Sequence, residues 1–261
     1  MTIADATRAG VVGPLADELA DRQRRIDPDF AGCAAGAEAR ERARRLRARA
    51  PVRTAVARVL GLKTDERTWR ERADGQEAVG AELAKLGPSW RVIHAVPIGG
   101  PDGDVDHLVI GPTGVFAIST QNHPDANVWV NGDIFKVNGV RRPFVRNSRF
   151  AAAQCAKVLT AHTGLRVDVH PAIAVMGAGH GFIVKTQPAG VRVVRRRALT
   201  REIDELAPTL DSARMDALYV AASCLSTWQS PPESWLTTSR DASTRSAGPA
   251  GSPDPAPRAM A

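Results

Sequence analysis

The chain of 261 residues has 35 lysines and arginines against 28 aspartates and glutamates, a formal net charge of +7. Its 43% of hydrophobic residues is enough for a globular core, which excludes collagen-like and wholly disordered proteins. Cys33, Cys155 and Cys224 are widely spaced and form no C-x-x-C pair, so no disulfide framework or zinc ribbon is expected. No apolar run of about 18 residues predicts a membrane span, and no basic, apolar leader opens the chain. We therefore expect a cytoplasmic protein whose basic character favours polyanions such as nucleic acid.

Residues 1–65 are predicted to form a basic helical extension. Between residues 40 and 63 a single acid, Glu41, accompanies nine basic residues: Arg40, Arg42, Arg44, Arg45, Arg47, Arg49, Arg53, Arg58 and Lys63. Pro51 divides this run, and apolar residues then recur at helical spacing. The extension fits a solvated arm packed on the domain, a phosphate-binding arm or a membrane-surface helix.

Residues 66–229 carry the pattern of an α/β domain. In chain order the sequence predicts a helix over 66–86, strands over 90–96, 105–110 and 115–119, a hairpin of 128–130 and 134–137, a helix over 149–163, strands over 169–176 and 191–194, and a helix over 210–228. Asn131-Gly132-Asp133 supplies the turn of the hairpin. This order predicts a mixed central β-sheet flanked by helices. Residues 230–261, rich in Pro, Ser and Ala, are predicted to form a disordered tail.

Two neighbouring strands carry the polar side chains that could perform chemistry. Alternate residues of a strand share a face, so Asp104 and Asp106 point the same way, as do Ser119 and Gln121. The tight turn at residues 111–114 brings the two strands together at one edge of the sheet. Carboxylates in such a place can hold Mg²⁺ for phosphodiester hydrolysis, or they are simply acids of a loop.

Three runs of the sequence resemble the nuclease-related domain called NERD. They are Trp69-x-x-x-Ala73-Asp74-Gly75-Gln76-Glu77-Ala78-Val79-Gly80, Trp90-Arg91-Val92-Ile93-His94, and Asp106-His107-Leu108-Val109-Ile110-Gly111-Pro112-x-Gly114-Val115-Phe116. Four further segments are similar to the actinobacterial branch of that family: Gln121-Asn122-His123-Pro124, Val128-Trp129-Val130, Val137-Asn138-Gly139 and Arg146-Asn147-Ser148-Arg149. Over residues 66–197 the resemblance implies a restriction-endonuclease-like core of the PD-(D/E)XK class and a role in DNA processing.

The resemblance also implies which residues form the site. The family's first-helix acid falls on Gln76, next to Glu77, which could replace it only if the helix register shifted. The family's aspartate is kept as Asp106, and its acid-x-Lys pair falls on Ser119 and Gln121, so both charged members are absent. The family's helix glutamine falls on Gln154.

These departures predict impaired catalysis. Gln121 carries no positive charge to stabilise a developing phosphate charge, and losing one such group typically costs about 10²–10³ in rate. Asp106, helped by Asp104, would bind Mg²⁺ weakly. The first hypothesis is a catalytically impaired nucleic-acid-binding protein, which needs no cofactor. The alternatives are an active Mg²⁺-dependent nuclease, with Glu77 and a cation from Lys136, Arg141 or Arg142 in the missing roles, and a scaffold that binds an acidic protein or a membrane surface.

Two basic runs are the predicted nucleic-acid surface, with DNA the favoured partner and the oligomeric state left open. They contain Lys136, Arg141, Arg142, Arg146 and Arg149, and then Arg195, Arg196 and Arg197. No acid occurs between residues 136 and 149 or between 185 and 201. Contacts from such cations to phosphates would be salt-dependent and largely independent of sequence.

Overall fold

The computed structural model describes residues 28–59, 62, 64–100 and 103–229. The helices of this part are α1 (Pro28–Ala31), α2 (Ala37–Arg49), α3 (Pro51–Val59), α4 (Asp65–Leu83), α5 (Phe144–Thr163), α6 (Leu199–Asp204), α7 (Ser212–Ala222) and α8 (Leu225–Gln229). The strands are β1 (Arg91–Gly100), β2 (Gly103–Gly111), β3 (Gly114–Asn122), β4 (Asn127–Asn131), β5 (Ile134–Val137), β6 (Val140–Arg142), β7 (Val169–Met176), β8 (Gly181–Thr186) and β9 (Arg192–Arg195). The predicted disordered tail lies outside the described residues.

The strands form two sheets, and the larger one is mixed. Its order is β1-β2-β3-β7-β9, in which β1, β2 and β3 are antiparallel neighbours and β3, β7 and β9 run parallel. The smaller sheet has the order β6-β5-β4-β8. The predicted α/β class with a mixed central sheet flanked by helices is confirmed, and the arrangement is consistent with a restriction-endonuclease-like core.

Side-chain alternation gives the larger sheet two buried faces. On β3, Phe116 and Ile118 pack with α4 and α6, whereas Val115 and Ala117 pack with α5 and α7. Each fully buried large apolar side chain of this kind contributes roughly 1.5–3 kcal/mol. The smaller sheet packs on β7 and β9 through a third cluster that includes Phe135 and Ile173. Helices therefore cover both faces of β3, and the site forms where this strand ends.

The two long helices around β3 have clear start and stop signals. The Thr64 side chain accepts a hydrogen bond from the Arg67 N–H and caps α4. Helix α5 begins directly after Pro143, five residues before the predicted start at 149, and ends at Gly164, whose φ of 68° suits a residue without a side chain. The helix predicted over 210–228 is two helices, α7 and α8.

The described part of the N-terminal extension packs on the α/β core. Arg40 of α2 donates to Asp74 Oδ1 at 2.7 Å and to both carboxylate oxygens of Glu77 at 2.7 and 2.8 Å. Ala39 and Ala43, on the same helix, are buried. The division into an extension, a domain and a tail stays a prediction. No helix within the described ranges is both long enough and apolar enough to cross a bilayer.

Candidate functional site

The site begins where β2 and β3 separate. The paired residues of these strands end with His107 opposite Ile118. Beyond this pair the Thr120 N–H donates to the Asp106 side chain, with 2.6 Å between N and Oδ2. The buried Asp106 carboxylate thus replaces a backbone acceptor at the point where the ladder stops.

Helix α4 supplies two more donors to the same carboxylate. Arg72 and Gln76 are four residues apart and therefore share a helix face. Gln76 Nε2 donates to Asp106 Oδ1, and Arg72 Nη2 lies 3.3 Å from the same oxygen. Both Asp106 oxygens consequently accept N–H groups from the protein.

The close approach of α4 to β3 depends on Gly75. A Cβ at this position would lie 2.9 Å from Asn122 Cβ and 3.1 Å from Thr120 Cγ2. Asn122 Nδ2 also donates to the Glu71 carbonyl oxygen at 2.7 Å, which fixes the helix to the end of the strand. A residue with a side chain at position 75 would push Gln76 away from Asp106.

Burial dominates the electrostatics of the two aspartates. It raises the pKa of Asp106, while Arg72, the Thr120 N–H and Gln76 act in the opposite direction. The pKa of Asp104 is raised to about 6 by burial and by the neighbouring Glu38 of α2. Near pH 6 the proton occupancy of Asp104 therefore changes.

A pair of histidines lies next to the Thr120 side chain. The Nδ1 atoms of His94 and His107 are 2.8 Å apart, and His107 Nε2 lies 3.2 Å from Thr120 Oγ1. Burial lowers the pKa of both rings, and for His107 the proximity of His94 adds to the effect. Neutral imidazoles therefore position the end of β3.

A cavity of about 460 Å³ opens beside these groups, between the N-terminal halves of α4 and α5. It brings together four of the residues selected from the sequence: Asp104, Asp106, Ser119 and Gln121. Ser119 Oγ lies 3.5 Å from the Ala172 carbonyl oxygen. These four residues therefore line one cavity, and their catalytic roles stay predictions.

Three of the predicted catalytic residues, Gln76, Glu77 and Gln154, do not line this cavity. Glu77 is exposed and bonds Arg40, because it lies about 100° around α4 from Gln76. Gln154 lies on α5 beyond the cavity-lining Ala151, and its Oε1 is buried without a hydrogen-bond partner. Gln76 does contact Asp106, but it donates an amide proton where an acid would offer a carboxylate.

The predicted basic surface divides into paired and exposed cations. Arg149 forms a bidentate ion pair with Asp133 at 2.6 and 2.7 Å, an acid that lies just before the acid-free run. Arg196 donates to the Ala78 carbonyl oxygen and lies 3.9 Å from Glu82. Arg195 lies over the Phe182 ring, 4.9 Å from its centroid. Among these cations, the exposed ones are Arg141, Arg142, Arg146, Arg195 and Arg197.

Only one cation of that set, Arg142, lines the cavity with Asp106. It lies opposite Phe135, whereas Arg141 lies opposite Lys136 on the other face of the hairpin. Lys136 Nζ is 5.3 Å from the centroid of the Trp129 ring. The basic residues of this hairpin therefore lie on two separate faces.

Sequence reasoning missed several cavity residues. Arg72 could have been found from its i, i+4 spacing to Gln76. His123, Ser148 and Phe150 also line the cavity. His123 and Ser148 lie in segments that resemble the family but were given no role, and no sequence signal pointed to Phe150. The described residues contain no group of three or more His, Cys, Asp or Glu side chains placed to hold a metal ion.

Comparisons with known proteins agree with the motifs. Residues 71–176 match the sequence model of NERD, the nuclease-related domain. An uncharacterized protein of Bacillus anthracis is 33% identical over 96 residues, which cover 33% of this chain and 45% of that protein. The chain thus spans less than half of this relative. No solved structure was found to match.

The matched residues hold the whole contact between α4 and the end of β3, including Arg72, Gln76, Asp106 and Thr120. The assignment to the actinobacterial branch stays a prediction. The family resemblance itself is confirmed, since residues 71–176 of this chain match the nuclease-related domain NERD.

Proposed function

We propose that this protein binds nucleic acid, with DNA as the favoured partner, and is a catalytically impaired relative of metal-dependent endonucleases. The observation that carries the proposal is the Gln76 amide, which donates to Asp106 at the position that the resemblance gives to an acid. An amide donor satisfies a buried carboxylate within the protein. A second carboxylate would repel it and require a cation between the two.

The donor set around Asp106 does not fit Mg²⁺. This ion prefers carboxylate anchors and keeps several waters in a strict octahedral geometry. Asp106 accepts from Arg72, Gln76 and Thr120, and the Arg72 guanidinium brings positive charge toward the side where an ion would bind. We therefore assign no metal-dependent step to these residues.

Binding to phosphates requires clustered cations but none of the catalytic residues. Lys136 and Arg141 lie directly opposite each other on β5 and β6. Like charges at such a cross-strand pair destabilise a sheet, so a bound polyanion would relieve a cost that the free protein carries. The nearby Trp129 ring adds an aromatic surface of the kind that stacks on bases.

An active nuclease is the second candidate, because Arg142 lines the cavity that contains Asp106. In that case Arg142 would supply the positive charge that Gln121 lacks. The third hypothesis, a scaffold for an acidic protein or a membrane, and the cytoplasmic location stay predictions.

One assay separates the first two candidates. Plasmid and single-stranded DNA would be incubated with the protein and Mg²⁺ or Mn²⁺, alongside Asp106→Asn, Asp106→Ala and Gln121→Lys. We expect no cleavage by the native protein, and DNA binding that weakens steeply as salt rises. Cleavage by the native protein that disappears in Asp106→Asn would establish the active nuclease instead. Binding that does not change with salt would refute the nucleic-acid proposal and favour the scaffold.

A further inference from the structure

Two polar atoms of residues that line the 460 Å³ cavity have no hydrogen-bond partner. They are Ser148 Oγ on α5 and His123 Nε2 just after β3, and both atoms are buried. Ser148 is only 3% exposed. Buried polar side chains nearly always have a hydrogen-bond partner, since a buried polar atom without a hydrogen bond lowers the stability of the protein. A ligand that donates to or accepts from these atoms would account for them.

A cation and an aromatic ring border the same space. Arg142 lines the cavity, and no acidic side chain in the described ranges forms an ion pair with it. Burial lowers the pKa of the His123 imidazole, and the positive charge of Arg142 lowers it further. Phe150 also lines the cavity and is 39% exposed. Phe144 stacks on His123, with 5.6 Å between ring centroids.

The periodicity of α5 explains how these groups meet. Residues 144, 147, 148 and 151 recur at spacings of three and four, so they share one face of the helix, and that face lines the cavity. Arg142 precedes the helix by two residues. A single short segment therefore supplies a cation, hydrogen-bonding groups and aromatic rings.

We propose that this cavity binds one nucleoside phosphate unit, with its phosphate at Arg142, Ser148 and His123 and its planar base against Phe150. A volume of about 460 Å³ lies within the usual range of small-ligand pockets. The base of a duplex is stacked and paired, so the unit comes from a single strand, from a nucleotide flipped out of a duplex or from a free nucleotide. The inference rests on the proposed nucleic-acid function and adds the part of the nucleic acid that is recognised.

The test is isothermal titration calorimetry on the full chain with deoxyadenosine, deoxyadenosine 5′-monophosphate and a single-stranded pentanucleotide. We expect the monophosphate to bind more tightly than the nucleoside. Arg142→Gln should weaken monophosphate binding about tenfold or more, because a charge-assisted contact is lost. Arg166→Gln, which removes the same charge at an exposed position, should leave the affinity unchanged.

Ser148→Ala separates ligand binding from folding. The hydroxyl has no partner in the protein, so the variant should keep or raise the Tm. Binding of the monophosphate should nevertheless fall about tenfold or more, the effect of losing one hydrogen bond to a charged phosphate.

The outcomes separate the assignment of the cavity from the proposed nucleic-acid function. Pentanucleotide binding that is unaffected by Arg142→Gln and Ser148→Ala would overturn the cavity assignment and leave the nucleic-acid function standing. The absence of binding to the monophosphate and to any single strand or duplex would overturn both. Binding of the monophosphate but not of the pentanucleotide would support the cavity and assign it to free nucleotides.

Discussion

Gln76 and glutamate have nearly the same shape, so the chemistry of position 76 depends on charge. The amide donates to a carboxylate that also accepts from Arg72 and Thr120. We expect Gln76→Glu to lower the free energy of unfolding by about 2–3 kcal/mol without divalent cations, since two buried carboxylates would face each other. Added Mg²⁺ should raise the Tm of this variant, because it would supply the missing charge between them.

The matched control is Gln76→Ala, which removes the donor without adding a charge. Thermal unfolding with and without Mg²⁺ checks both variants. A Tm rise with Mg²⁺ in Gln76→Ala or in the native protein would show that the ion binds elsewhere. No rise in Gln76→Glu would mean that position 76 does not restore a metal site.

Asp104 makes stability depend on pH. Its pKa is about 6, above the ordinary value of 3.8, and Glu38, Arg72 and Asp106 are the charged groups that act on it. A raised carboxyl pKa means that the folded protein binds more protons than the unfolded chain between pH 4 and 6. The contribution of Asp104 therefore becomes less favourable as pH rises through that window. Above it, the loss is about 1 kcal/mol once screening of this half-buried group is allowed for.

Asp104→Asn should remove this loss. Urea unfolding at pH 4 and pH 8 would give a free energy difference between variant and native protein that favours the variant only at pH 8. The other titrating groups, including His94 and His107, are present in both proteins and cancel in the comparison. Parallel changes in the two proteins between these pH values would contradict the assignment.

The sequence predicted some site residues because strand alternation is a local rule. Alternation predicted a shared face for Asp104 and Asp106 and for Ser119 and Gln121, and all four residues line one cavity. The position of Ser148 could not be predicted in this way. Its place depends on how α5 packs across β3, and on a helix start that Pro143 sets earlier than its apolar pattern suggests.

At the scale of elements, the packing of α4 on β3 decides whether the site forms. Gly75 permits an approach that a methyl group would block at 2.9 Å from Asn122 Cβ. We expect Gly75→Ala to destabilise the protein by about 1–3 kcal/mol, although alanine is the better helix former. Gly87→Ala is the control, since a Cβ there would meet nothing within 4 Å.

Urea unfolding gives the test of this contact. The midpoint of Gly75→Ala should fall with little change in slope, and that of Gly87→Ala should stay close to the native value. Equal midpoints for all three proteins would mean that α4 moves away from β3 at no cost.

Element boundaries were predictable where a local signal is strong. The hairpin of β4 and β5 follows from its Asn-Gly turn, and β7 agrees with its prediction over 169–176. Strand β6 has three residues, all exposed, and so carries no apolar pattern. The long 210–228 pattern concealed the interruption between α7 and α8, which lies at Ser223 and Cys224.

At the scale of the whole molecule, the family segment and the folding unit differ. Residues 71–176 end with β7, but β9 completes the sheet, and Leu199 and Ile203 of α6 are fully buried in the cluster below it. We expect a fragment of residues 71–176 to lack cooperative unfolding by circular dichroism, and a fragment of residues 1–229 to retain it. A sharp thermal transition in the shorter fragment would contradict this.

The three N–H groups on Asp106 restrict how this protein can evolve. An ancestor with a metal at this position could lose it and gain the present contacts, but each single step of the reverse route costs stability when no divalent cation is bound. Restoring an acid at position 76 alone places two buried carboxylates together, and altering Asp106 alone leaves Arg72, Gln76 and the Thr120 N–H without their acceptor. Under the proposed function, Asp106 is retained as part of the fold, and selection for stability alone would be enough to preserve it.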